Sequence, residues 1–215
     1  MKMFNEEQEK QLKEIFDAMK RDVTIALFTE PGCYTCPETD GLLDEIAGLT
    51  ERIRLVRYDL KKDAAKAAEY KVTLAPSFVL LDDKGTYRGV KFNGIPAGHE
   101  INSFIPALIE MSGAESEVPK EFADRVAKID QPVNIKVFVT LSCPHCPGAV
   151  QKAHKLAMMN PYIEGEMVEA STFESLSKLY NVSAVPQIVV NGPHGTKTLL
   201  GNQPIQAILD AIDAA

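Results

Sequence analysis

The chain contains no tryptophan, and only four of its 215 residues are cysteine. It also lacks any stretch approaching the roughly 18 consecutive apolar residues of a membrane-spanning helix, so no membrane partner is expected. Basic residues are the minority charge, 23 Lys and Arg against 30 Asp and Glu, and they form no run. A net charge of −7 without a basic face argues against nucleic acid as a partner. Neither Gly-x-Gly-x-x-Gly nor Gly-Lys-Ser/Thr occurs, so no flavin, nicotinamide or nucleotide site is built in and no cofactor is expected. The segment Met1–Lys10 is charged and has no apolar stretch of the kind a secretory leader carries. The expected location is therefore the cytoplasm, where lasting structural disulfides are rare.

The few cysteines are placed in two pairs, Cys33-Tyr34-Thr35-Cys36 and Cys143-Pro144-His145-Cys146, offset by 110 residues, and Pro37 and Pro147 follow at the same offset. The match continues outward. Val23, Ile25 and Phe28 align with Val133, Ile135 and Phe138, Tyr70 and Val72 with Tyr180 and Val182, and Pro76 with Pro186. Self-similarity of this length marks a duplicated domain. Two copies of about a hundred residues are each large enough to bury a core, and 45% apolar with 25% charged residues is ordinary globular composition. The expected domains are 1–114 and 115–215, joined by the polar linker Ser112–Pro119.

Each copy has one grammar. A helix (Leu12, Ile15, Phe16, Met19; Phe122, Val126, Ile129) precedes a short apolar strand that runs into the Cys-x-x-Cys. A helix starts there, followed by a second strand (Ile53–Tyr58; roughly Gly165–Val168) and a helix ending near Tyr70 or Tyr180. Apolar runs after Pro76 and Pro186 turn at Asp82-Asp83-Lys84-Gly85 and Asn191-Gly192 into hairpin partners. Closing helices carry Ile101, Phe104, Ile105 and Leu108, then Ile205, Ile208, Leu209 and Ile212. The expected fold class is α/β, two domains in tandem, each a mixed sheet flanked by helices.

Cysteines three apart at a helix start lie within the Cα separation a disulfide needs. The first meets unpaired backbone N–H groups and the positive end of the helix dipole, both of which favour its thiolate. Cys33 and Cys143 are therefore the expected attacking residues, and Cys36 and Cys146 the resolving ones. A structural zinc site is the competing reading of two Cys-x-x-Cys pairs. The pairs are 107 residues apart, against roughly 15–20 in a zinc ribbon, so redox chemistry is preferred and no metal is expected. The intervening residues Tyr34, Thr35, Pro144 and His145 set the redox poise. His145 adds a partly protonated imidazole beside Cys143, which predicts that the second dithiol is the more oxidising.

Strand into Cys-x-x-Cys at a helix start, with X-Pro opening a strand 43 residues later, resembles the thioredoxin fold, twice. The whole chain is similar to the two-domain, glutaredoxin-like protein disulfide oxidoreductases. The stretches Leu141–Pro147, Val150-Gln151, Asn160-Pro161 and Gly94-Ile95-Pro96-Ala97-Gly98-His99-Glu100 also resemble the amino-terminal domain of the alkyl hydroperoxide reductase flavoprotein. That domain keeps only its second dithiol. The resemblance implies a thiol–disulfide oxidoreductase acting on protein disulfides as reductase, oxidase or isomerase. It implies a thioredoxin-reductase-like flavoprotein as electron donor and, as the alternative, a carrier role toward a peroxiredoxin. A non-catalytic zinc-binding or substrate-holding scaffold is the reading from another class.

By pattern alone Pro76 and Pro186 are strand-opening prolines. The resemblance implies that both are cis and face the dithiols, with Ala75 and Val185 touching substrate. It also exposes a departure. Six residues before each first cysteine, where thioredoxins hold a buried carboxylate, this chain has Leu27 and Val137. Glu100 is the candidate acid/base in its place, reaching toward Cys146; otherwise it is a surface glutamate in a helix's first turn. Glu30 is expected to be solvated, Asp59 and Glu169 to cap corners, His154 and His194 to lie on the surface, and Met158-Met159 to pack.

Overall fold

The computed structural model describes residues 2–114 and 116–215. Met1, which opens the segment read for a leader, and Glu115, within the expected linker, lie outside the described residues. The chain divides into two compact units. The first comprises Met1–Tyr87, Asn93–Ile95 and Leu108–Ser116, the second Arg88–Phe92, Pro96–Ala107 and Glu117–Ala215.

In the first unit α1 (Glu6–Phe16) is started by a reciprocal cap between Asn5 and Gln8. Strands β1 (Val23–Thr29), β2 (Ile53–Asp59) and β3 (Ser77–Leu81) lie in the order β2-β1-β3. β1 runs parallel to β2, with Ile25 opposite Leu55, and antiparallel to β3, with Phe28 opposite Ser77. The central strand is nearly all apolar because both of its faces are covered. Ala26 and Phe28 join Tyr70, Val72, Val79 and Leu81 in one cluster, and Phe28 stacks on Tyr58 at 5.1 Å. Helix α2 (Cys36–Ala47), which packs on β1 and β2, buries Leu42, Leu43 and Ile46. Helix α3 is Ala64–Glu69, and β4 is Tyr87–Asn93. The C-terminal end of α4 (Ile101–Met111) is tied to this unit where Ser112 Oγ accepts from Lys20 N–H and Ser112 O from Arg21 Nε.

In the second unit come α5 (Lys120–Val126), β5 (Val133–Val139), α6 (Cys146–Met159), β6 (Ile163–Glu169), α7 (Glu174–Leu179), β7 (Gln187–Gly192), β8 (Gly195–Leu200) and α8 (Ile205–Ala214). The strand order is β4-β6-β5-β7-β8, with β5 parallel to β6 and antiparallel to β7. β6 is longer than the apolar pattern suggests, because Glu164 and Glu166 break that pattern yet are buried. They are neutralised in place. Lys91, 2% exposed, lies 3.3 Å from Glu164 and 3.9 Å from Glu166, and Lys136 lies 2.9 Å from Glu166. Asn134 donates to both carboxylates. Burial opposes charge on Glu166, but Lys91 and Lys136 outweigh it and hold the carboxyl well below its usual range.

The middle of β4 is bound to this unit by more than charge. Arg88 donates to Met158 O at the end of α6, and His154 Nε2 lies 3.1 Å from Lys91 O. Gly89 has φ +77, and a Cβ there would collide with Ile163 O, so only glycine permits the approach. His154 is 1% exposed, its ring 4.6 Å from that of Phe92. The expectation that it lies on the surface is corrected. It occupies the buried stripe of α6, together with Val150, Ala153 and Ala157, and burial lowers its pKa to about 4. Met158 is packed, as expected.

The candidate dithiol sites

In each unit the cysteines follow from the end of a central strand. β1 stops at Thr29, the Cys33 N–H returns to Glu30 O at 3.3 Å, and α2 opens at Cys36 with Pro37 in its first turn. In the second unit β5 stops at Val139, the Cys143 N–H returns to Thr140 O at 3.1 Å, and α6 opens at Cys146 with Pro147. Proline is suited there because the first helical N–H groups have no partner in the helix. Both pairs are closed as disulfides, with Cα separations of 5.4 and 5.6 Å. Within each pair burial increases along the chain. Cys33 is half-buried and Cys36 is 6% exposed, while Cys143 is 9% and Cys146 0% exposed. Among the described residues no three His, Cys, Asp or Glu side chains converge as a metal site would require.

The prolines close on the same end of each sheet. Ala75–Pro76 and Val185–Pro186 are cis peptides. Because Ser77 pairs with Phe28 and Gln187 with Phe138, each proline falls beside the strand end from which its cysteine loop departs. Pro76 O accepts from Gly94 N–H at 2.9 Å and Pro186 O from Gly201 N–H at 2.8 Å, and Ala75 and Val185 remain half-exposed. Tyr34 is 96% exposed. Thr35 is half-buried, and Pro144 and His145 are exposed.

Glu100 is not a surface residue. It is 0% exposed, at the end of a 3-10 turn (Gly98–Glu100) that packs against α6 within the second unit. His99 N–H donates to Leu141 O, two residues before Cys143, and a Cβ on Gly98 (φ +57) would collide with that same oxygen. The turn is thereby seated on the loop and helix that carry the second dithiol. Ser103 Oγ donates to Glu100 Oε2 at 2.5 Å, while Oε1 has no hydrogen-bond partner among the described residues. Burial pushes the carboxyl up to about 7, the Ser103 hydrogen bond opposing. The reach is a matter of loop length. Helix α4 starts seven residues after Gly94, whereas α8 starts four after Gly201. The shorter loop stays on its own helix, where Lys152 Nζ holds Asn202 Oδ1 at 2.6 Å.

Of the lesser residues, Asp59 accepts from the Lys61 and Lys62 N–H groups and Glu169 from those of Ser171 and Thr172, corner contacts of the expected kind. Glu30 lies 3.3 Å from Lys61 Nζ. No helix among the described residues is long and apolar enough to cross a membrane.

A strand ending in Cys-x-x-Cys at a helix start, with a cis-proline at the same sheet end, is the arrangement of thioredoxin-fold oxidoreductases, and it is present twice. The thioredoxin domain model matches residues 133–213. The chain superposes on the NTD_N/C domain of alkylhydroperoxide reductase AhpF from Enterococcus faecalis with a TM-score of 0.90 at 31% identity, covering 97% of this chain and 99% of that one. Against a protein disulfide oxidoreductase from Aeropyrum pernix the TM-score is 0.86 at 28% identity, covering 97% and 91%. The alkyl hydroperoxide reductase AhpF of Staphylococcus aureus is 29% identical over 98% of this chain, which spans only 38% of that protein's length. The chain belongs to the family of tandem thioredoxin-fold dithiol proteins that includes the AhpF NTD_N/C domain. It carries two disulfide-capable Cys-x-x-Cys sites.

Proposed function

We propose that this protein is a thiol–disulfide oxidoreductase that reduces protein disulfides in the cytoplasm, with electron pairs supplied by a thioredoxin-reductase-like flavoprotein. The supporting observation is the pair of dithiols, each at a helix start with its first cysteine the more exposed. The thiolate of Cys33 or Cys143 attacks a substrate disulfide, and one substrate thiolate leaves. Cys36 or Cys146 then attacks the mixed disulfide and expels the second. Two electrons pass to the substrate and the protein pair closes. Ala75 and Val185 offer backbone to an extended substrate segment, and Tyr34, Thr35, Pro144 and His145 adjust the potentials.

Glu100 takes the proton of Cys146 as that thiol becomes the nucleophile. Its protonation near pH 7 matches such a role, and its turn abuts the loop of the second dithiol. The second reading, a carrier that reduces a peroxiredoxin, is favoured by the match to AhpF along 98% of the chain.

Reduction of insulin by dithiothreitol, with each cysteine pair replaced in turn, tests catalysis. Peroxide consumption with a flavoprotein reductase and a peroxiredoxin tests the carrier role. A chain inactive in both assays would be a scaffold.

A further inference from the structure

The two dithiols are built alike but differ in the charge carried along their helices, although Glu100, with a pKa of about 7, belongs to the turn seated on the loop of the second. Helix α2 carries Glu38, Asp40, Asp44 and Glu45 and no base. Over the matching stretch α6 carries no acid: it has Lys152, and the buried, neutral His154 stands where α2 has Asp44. Glu30, in the loop before Cys33, is replaced by Thr140 before Cys143.

Neighbouring groups reduce the contrast without removing it. Arg57 is shared by Asp40 and Asp44 at 2.7 and 2.5 Å, and Lys61 lies 3.3 Å from Glu30. Five carboxylates thus lie on the first helix and its loop, with Arg57, Lys61 and Lys2 opposing them. Glu38, exposed in the first turn of α2, lies two residues from Cys36. In the second unit Lys152 donates to the neutral amide of Asn202 rather than to a carboxylate, and burial lowers its pKa from the ordinary lysine value. Glu169, at the corner matching Asp59, is buried and turned onto backbone N–H groups. At about 1.5 Å rise per residue, Lys152 stands about 9 Å along the axis from Cys146 and Asp40 about 6 Å from Cys36. Both fall within the Debye length of about 10 Å at 0.1 M salt.

We propose that the two dithiols select partners of opposite charge, the first exchanging with disulfides set in basic surfaces and the second with disulfides set in acidic ones. The proposal rests on the oxidoreductase reading. One chain could then take electrons from one protein and deliver them to another without the two competing for a single docking face. Charge complementarity of this kind acts on encounter rate and partner choice more than on intrinsic chemistry.

The test uses the full chain in two forms, Cys143→Ser/Cys146→Ser leaving the first dithiol and Cys33→Ser/Cys36→Ser leaving the second. Each is reduced, and its oxidation is timed with cystamine (a dication), oxidised glutathione (a dianion) and neutral 2-hydroxyethyl disulfide. In every case the dithiol loses two electrons and two protons and the probe becomes two thiols. A unit charge pair about 10 Å apart in water changes an encounter about twofold, and here several charges meet a divalent probe. The cystamine-to-glutathione rate ratio, normalised to the neutral probe, is expected to be about tenfold higher at the first dithiol in about 0.01 M salt. It should collapse toward equality at about 0.5 M.

Glu38→Gln should lower the ratio at the first site and Lys152→Gln raise it at the second, any change in thiolate fraction being removed by normalising to the neutral probe. Equal ratios at the two sites, or ratios insensitive to salt, would overturn charge selection while leaving the redox reading intact. Failure of both dithiols to react even with the neutral probe would overturn the redox reading and this inference with it.

Discussion

Replacing Glu100 by Gln is expected to stabilise the protein above neutral pH. The carboxyl is fully buried and its pKa is raised from 4.5 to about 7, chiefly by burial. Between those two values the native state binds more protons than the unfolded one, so stability falls as pH rises. A displacement of that size corresponds to about 3 kcal/mol, absent below pH 4.5 and fully present as a penalty above pH 7. Glutamine keeps the volume and can still accept from Ser103, but carries no charge to desolvate. Urea unfolding of parent and Glu100→Gln, followed by far-UV circular dichroism in steps from pH 4.5 to 8.5, should show the two coinciding at the acid end. The variant should then gain up to about 3 kcal/mol by pH 8. The comparison must be between the two proteins, because His154 gives the parent curve an opposite slope over part of the range. A difference that stays flat across the range, or a variant less stable at pH 8, would refute the burial argument. A variant that is more stable yet loses the pH dependence of its second dithiol would mark Glu100 as a residue kept for chemistry at the expense of stability.

His154 works in the other direction. Its folded pKa of about 4 lies below the unfolded value of 6.5, so the parent should lose stability as pH falls through that window. His154→Leu should flatten the loss in acid unfolding, and an unchanged acid limb would count against the buried neutral imidazole. Lys91→Ala removes one of the two cations that balance the buried pair Glu164 and Glu166, leaving Lys136 on Glu166, and should cost about 3 kcal/mol, read as a drop in urea midpoint. A midpoint as little affected as that of Lys178→Ala, at an exposed pair, would show the network to be solvated. The second dithiol, with His145 between its cysteines and Lys152 on its helix, should have the higher reduction potential, measured against glutathione in single-dithiol variants. A first site equal or higher would refute this.

What the sequence made legible was whatever the duplication preserved. The offset of 110 residues located both dithiols and both prolines, and short apolar runs and helical spacing located the strands and helices around them. His154 was misplaced although its signal was present: it stands four residues after Val150 and three before Ala157, on the buried stripe of α6. A histidine there reads as polar by type and buried by position, and position prevailed because Nε2 found Lys91 O. The membership of residues 88–92 and 96–107 in the second unit could not be read locally. It depends on Lys91 meeting Glu164 and Glu166 some seventy residues away, and single-chain patterns do not register such pairing. The burial of Glu100 left no local pattern, since its turn is seated on Leu141; only the family resemblance pointed that segment toward Cys146.

The hand-over of mid-β4 and the following turn to the second unit has a consequence for how such a gene can change. Severing the polypeptide at the joint between the two copies would take from the later half residues 88–92 and 96–107, which belong to it. A lineage that needs only one redox centre is therefore free to silence the other by substituting its cysteines, and is held from discarding the repeat that bears them.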